Sequence, residues 1–218
     1  METQGSPRTI TEEIYRDLRM KILQNQFQPN EHLVERKLAQ SYGVSKTPIR
    51  EAITRLERDG LVKFVSLKGA VVRHFAKEEM LQILDIREYL EALAGAKAAE
   101  FSARDGVARE IEEIHAQSAL HLDNRKVFQT YDRWLHNTIR RAAHNDLLFT
   151  MVEKLDDVFH MVLTSTMALP TRGPHVAFLE HQELVQAIVR GDPGHAEAVS
   201  RCHIQAVRKA VEQFYDAP

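Results

Sequence analysis

Beyond Lys77 the chain carries no strand-like run. Six stretches with apolar residues at helical spacing follow one another instead, at about 78–102, 105–121, 124–143, 146–168, 174–190 and 193–215. The breakers between them are short: Arg104-Asp-Gly, Asp123-Asn, His144-Asn-Asp, Pro170-Thr-Arg-Gly-Pro and Gly191-Asp-Pro-Gly. Long amphipathic helices on short connections fold back on one another, so this part is expected to form a six-helix antiparallel bundle.

The front of the chain reads differently. A helix over 11–24 places Ile14, Leu18, Ile22 and Leu23 on one face, and a turn follows at Phe27. A short helix over 34–41 ends at Gly43, which suits a left-handed terminating conformation. Ser45 or Thr47 then caps a second helix, and Pro48 in its first turn is tolerated because that N–H has no intrahelical partner. It runs through Ile49, Ile53 and Leu56 to Asp59-Gly60. Two β-prone runs, 61–65 and 70–75, flank Ser66-Leu67-Lys68-Gly69 and read as a hairpin. The expected fold is therefore mostly α: a winged helix-turn-helix domain over 1–76, then the helical bundle over 77–218.

Charge divides at the same place. Residues 1–76 hold 13 Lys/Arg against 9 Asp/Glu, whereas 77–218 hold 16 against 22. A basic front suits a polyanion and an acidic rear does not. Nine of the 11 histidines also lie in the rear. The single cysteine, Cys202, excludes an internal disulfide or a thiolate-rich zinc site within one chain. No apolar run approaches the roughly 18 residues that span a bilayer, and the N-terminus lacks a signal-peptide pattern. A cytoplasmic location away from membranes is the expectation.

A helix of this kind fits the major groove, about 12 Å wide, and reads base edges with its N-terminal residues. Here those are Ser45, Lys46, Thr47 and Arg50. Lys46 and Arg50 can donate to guanine or to phosphate, and Thr47 can bond a phosphate or touch a thymine methyl. Arg36 opens the preceding helix, and Lys68-Gly69 at the hairpin tip can approach the minor groove. The plainer reading is a packing motif with solvated basic residues.

The residues themselves are more specific than that. Glu35-Arg36-Lys37-Leu38-Ala39, then Gly43-Val44-Ser45-Lys46-Thr47-Pro48-Ile49-Arg50-Glu51-Ala52, then Leu56-Glu57-Arg58-Asp59-Gly60-Leu61-Val62 resembles the GntR family of bacterial repressors. The resemblance implies Arg36, Lys46, Thr47 and Arg50 as contacts to double-stranded operator DNA, with Gly69 at the wing tip. The family commonly has Arg where this chain has Lys46, which weakens a bidentate guanine contact there.

In the rear, Asp132 and His136 are i and i+4 on one helix face. His181 and His203 each lie 11 residues from Asp192, the centre of the turn between their helices, so an antiparallel hairpin sets them at equal height. If both helices flank the Asp132/His136 helix, one carboxylate and three imidazoles converge, a set suited to a divalent ion such as Zn, Ni, Mn or Fe(II). Chance spacing among nine histidines is the alternative. His115, His121, His144, His160, His175 and His195 are read as surface or packed residues.

Asp85-Ile86-Arg87-Glu88-Tyr89-Leu90-Glu91, then Asp132-Arg-Trp-Leu-His136, Ala143-His144-Asn145-Asp146-Leu147-Leu148, Glu180-His181 and finally His203 resemble the effector (FCD) domain of the FadR branch of GntR regulators. Six rear helices fit its shorter, VanR-like subgroup. The resemblance implies Asp132, His136, His181 and His203 as metal ligands, Arg87 as partner of an effector carboxylate, and Asn145 as a pocket residue. Trp134 stands where Phe is more frequent, and either packs or shapes the pocket. A helix-surface ion pair with Glu91 is the plainer role for Arg87. The leading expectation is a homodimeric, ligand-responsive regulator, a repressor whose effector is a small carboxylic acid. The alternatives are a His3Asp metalloenzyme, or an ion that only fastens the bundle.

Overall fold

Nine α-helices and one hairpin, among the described residues, run in the order α1 (Ile10–Leu23), α2 (Glu35–Tyr42), α3 (Lys46–Arg58), β1 (Val62–Val65), β2 (Gly69–Val72), α4 (Lys77–Phe101), α5 (Val107–Ser118), α6 (Arg125–Ala142), α7 (Asp146–Thr166), α8 (Pro174–Val189) and α9 (Pro193–Asp216). These come from a computed structural model that describes residues 9–66, 69–102, 106–166 and 173–216. The chain forms two compact units, Met1–Phe75 and Ala76–Pro218.

In the first unit, Thr9 caps α1 by accepting the Glu12 N–H at 3.3 Å. The apolar stripe of α1, Ile14, Leu18 and Ile22, is buried, as is that of α3, Ile49, Ala52, Ile53 and Leu56, and the two helices pack together. Between α2 and α3, Gly43 adopts φ +65°, and the Val44 N–H donates to Ala39 O at 3.0 Å. That left-handed residue ends α2 within one step and turns the chain into α3. The hairpin pairs Val62 with Val72 and Val65 with Gly69 in antiparallel register. The segment after α1, read from sequence only as a turn, also lines the far edge of β2. Leu33 N–H donates to Ala70 O and Asn30 N–H to Val72 O, both at 2.9 Å. The outer edge of the wing is thus fastened to the segment that joins α1 to α2.

In the second unit α4 is the central post, packed by α6, α7, α8 and above all α9. Gly95 is why α9 comes so near: a Cβ there would stand 2.4 Å from Ser200 Oγ and 3.1 Å from the Ala196 carbonyl. The six helices match the six expected ones. Their ends are set by caps that the sequence shows only as polar breakers. Asn124 accepts the Val127 N–H at 3.3 Å, Asn145 the Leu148 N–H at 3.0 Å, and Asp192 the His195 N–H at 3.0 Å. The stretch expected as the end of the second bundle helix is instead a short 3-10 turn, Ala119–His121. No described helix is long and apolar enough to cross a membrane.

Candidate functional site

The first unit presents a polar face at the start of α3. Ser45, Lys46, Thr47 and Arg50 are exposed, as is Arg36 at the start of α2. Ser45 is the residue before the helix, yet its hydroxyl makes no capping bond. The first turn of α3 carries no acidic side chain, so its amide groups and helix dipole favour an approaching phosphate. Arg50 is held in place: its Nε and Nη2 donate to the two Glu35 oxygens at 3.0 and 2.8 Å. The Arg50 hydrogen bond in turn holds the Glu35 carboxyl below its usual range. Gly69 is exposed at φ +76°, a conformation that suits a glycine at the hairpin tip. Lys68 lies outside the described residues.

In the second unit His136, His181 and His203 come together from α6, α8 and α9. One ring nitrogen of each lies within 4.8 Å of the others. His136 Nε2 and His181 Nε2 face each other at 3.2 Å. Two nitrogens each bonded to one ion at 2.0–2.1 Å stand about 3–3.3 Å apart, so this spacing fits shared coordination. Asp132 Oδ1 stands beside the cluster, 3.5 Å from His181 Nε2. Burial, with His203 adding to it, pushes the His136 imidazole down to about 3, so it stays neutral with a lone pair to offer. His203 Nδ1 lies 2.8 Å from Glu180 Oε2. A proton on Nδ1 shared with that carboxylate fixes the ring and leaves Nε2 as the donor atom, the arrangement typical of ligating histidines. The cavity lined by Glu91, His136, Ile139, Leu184, Ser200 and His203 measures about 10 Å³, enough for one water or an ion.

Beside the imidazoles lies a buried charge quartet. Arg87 donates to Asp156 Oδ1 at 2.5 Å and to Glu91 Oε1 at 2.8 Å. Arg140 donates to Glu91 Oε1 at 2.5 Å and to Asp156 Oδ2 at 2.5 Å. Burial raises the Glu91 carboxyl, but Arg140 and Arg87 outweigh it and hold it at about 2. Glu91 is therefore ionised, and each guanidinium pairs with both carboxylates.

Comparison with known proteins settles the family. The profile described as "Bacterial regulatory proteins, gntR family" matches residues 10–72, and that of the FCD domain matches residues 82–206. The chain belongs to the GntR family, in its FCD-domain branch. This GntR protein is 27% identical over 215 residues to an HTH-type transcriptional regulator in an unstable DNA locus of Streptomyces ambofaciens, covering 97% of this chain and 89% of that one. It is 26% identical to the HTH-type transcriptional repressor GlaR of Escherichia coli, with 91% and 94% covered. Among solved structures it resembles E. coli McbR/YncC with a TM-score of 0.80 at 20% identity, covering 96% of this chain and 100% of that one. The family and its relatives are transcriptional regulators, so this GntR protein is a DNA-binding regulator and not a metalloenzyme.

Other sequence readings fare unevenly in the GntR fold. Arg87 and Glu91 do pair, but inside the bundle and not on a helix surface. Asn145 caps α7 through its Oδ1 and lines a groove with Arg140, Arg141 and Phe149, not the small cavity beside the imidazoles. Trp134 does not pack into the core; 49% of it is exposed, near Tyr131. His115 stacks on Phe178 and His121 on Tyr131, while His144, His175 and His195 are exposed. The His160 side chain lies outside those described. Arg140, Asp156 and the role of Glu180 were missed. Arg140 falls at i+4 from His136 and i+8 from Asp132, so one more step along that face finds it. Asp156 interrupts the apolar face that Val152 and Phe159 share, which marks a buried charge in need of a partner.

Proposed function

We propose that this regulator is a homodimeric repressor whose second domain, 77–218, holds a divalent ion and a small organic acid that modulates operator binding by the first, 1–76. One observation carries the reading: three imidazoles from three helices converge, with Asp132 beside them and Glu180 orienting one ring. His136, His181, His203 and Asp132 would hold Zn, Ni, Mn or Fe(II). Such an ion supplies positive charge and coordination positions for hard oxygen donors. Arg87 supplies the matching fork for a carboxylate.

On the DNA side, Arg36, Ser45, Lys46, Thr47 and Arg50 meet the duplex, with Lys68 and Gly69 at the wing. Glu35 holds Arg50 through its Nε and Nη2, which leaves Nη1 for the duplex. Two such helices in a dimer match a two-fold symmetric operator. The repressor assignment is supported by relatives named as repressors, GlaR of E. coli and that of a D-xylose utilization operon in Paenarthrobacter nicotinovorans. An effector acts only through different affinities for the DNA-competent and incompetent states.

The test is operator binding by the purified protein at fixed salt, using fragments flanking its own gene, with and without chelator, across small carboxylic acids. The expected result is specific binding that one acid changes only when metal is present. Specific binding that neither acid nor chelator alters would make the second domain a dimer scaffold. No specific binding in any condition would overturn the reading of the first.

A further inference from the structure

We propose that Asp156 is an internal counterion seated where a ligand carboxylate goes, bridging Arg87 and Arg140, and that an organic acid enters by displacing it. The inference rests on the reading that this domain binds such an acid. It adds the site's gate and a second guanidinium, Arg140, to its recognition set.

The geometry of Asp156 is that of a bound carboxylate. Oδ1 accepts from Arg87 at 2.5 Å and from Arg140 Nη2 at 3.3 Å, while Oδ2 accepts from Arg140 Nη1 at 2.5 Å. Two forks on two different helices, α4 and α6, thus close on one carboxylate carried by a third, α7. Glu91 is differently placed. It lies four residues from Arg87 on the same helix, so α4 itself maintains that pair. Asp156 comes from another element and can leave with it.

Charge balance makes the exchange one for one. Among the described residues two guanidiniums face two carboxylates, all four side chains nearly buried. Without the ion, an added anion would leave an unmatched charge in a poorly solvated site, which is strongly unfavourable. A ligand carboxylate taking the place of Asp156 keeps the sum at zero while Asp156 regains water. The cavity of about 10 Å³ on the imidazole side is too small to seat an acid, whereas a groove of about 370 Å³ reaches Arg140 from the side of Arg141, Asn145 and Glu153. Arg87 also keeps an unused donor: its buried Nε has no hydrogen-bond partner among the described residues. The Phe159 ring, 4.0 Å from the guanidinium carbon, shields that group from water. Because α7 packs on α4, α6 and α9, the loss of the Asp156 bridge loosens one helix against three others, which converts occupancy into movement.

The experiment uses the full chain and acetate as the probe carboxylate, against chloride at matched ionic strength, with and without chelator. Asp156→Ala should melt lower than wild type, and acetate should restore much of the loss in a saturable way even with chelator present, while wild type shifts little. Asp156→Asn, which keeps the shape, should bind acetate or succinate at least tenfold tighter than wild type by calorimetry. Adding Arg140→Met should abolish the gain. Equal affinity of wild type and Asp156→Asn would overturn the counterion while leaving acid binding intact. No acid response in any variant, with metal or without, would overturn acid binding and the gate together.

Discussion

Arg140 shows how much depends on keeping a buried charge matched. It is the residue that ties Glu91 to Asp156, and its removal strands two carboxylates around the single guanidinium of Arg87. Breaking a buried pair from one side costs about 3–5 kcal/mol, so Arg140→Ala is expected to destabilise the second domain by that order in denaturant unfolding. Arg140→Lys should recover only part, since one ammonium cannot serve two carboxylates as a planar fork does. His115 makes a different prediction. It is buried on Phe178 with neither ring nitrogen hydrogen-bonded among the described residues, and burial lowers its basicity below the ordinary 6.5. Between the folded and unfolded values the unfolded state binds the extra proton. Stability is therefore full above about pH 6.5 and falls as the pH drops through the window beneath it. His115→Phe should flatten that decline, measured as melting temperature at pH 7 and at pH 5.5. An equal slope in the variant would mean that the ring already finds a proton acceptor in the folded state.

At the scale of elements, the contact between α4 and α9 depends on a missing side chain. Gly95→Ala would put a methyl against Ser200 Oγ and the Ala196 carbonyl, and overpacking of this kind costs about 1–3 kcal/mol. Ser200→Ala removes the nearer clash but not the backbone one, so the double variant should regain part of the loss and no more. Such a contact is not legible in one sequence, where Gly95 is simply a weak helix former in an Ala-rich run. What could be read was whatever depends on period and turn. The six bundle helices followed from their spacing, Gly43 from the need for a left-handed stop, and the meeting of His181 and His203 from equal offsets about Asp192. Each of these is fixed by geometry inside one or two adjacent elements. The Arg87–Asp156 bridge joins residues 69 apart. Period says that Asp156 faces inward, yet only the packing of α7 on α4 and α6 says whom it meets. The same limit applied to Trp134, whose place on α6 did not reveal that the neighbouring helices leave it half exposed.

For the whole molecule, the uneven division of charge and chemistry between the two units predicts separable effects on DNA binding. Affinity for a duplex falls with salt at about 0.9 in the log–log slope for each phosphate neutralised. Lys46→Ala should lower operator affinity and reduce the slope by roughly that amount per subunit, while Arg50→Ala, if it removes a guanine contact, should cost about 1–3 kcal/mol of discrimination between operator and scrambled DNA. The two readouts tell a phosphate contact from a base contact at two positions that are both exposed. Replacing His181 and His203 with alanine removes two imidazoles from the proposed ion site but no cation from the proposed DNA face. Its expected signature is therefore loss of bound metal and of any acid response, with the salt slope unchanged. Fluorescence anisotropy on an operator and a scrambled duplex between about 50 and 200 mM salt, repeated with acid and with chelator, reads the affinities and slopes, and metal analysis of the purified variant reads the ion. A slope that changed with the histidine pair would mean that the ion helps to set how many phosphates the recognition helices reach. The two halves of the chain would then be sharing the polyanion, not dividing sensing from binding.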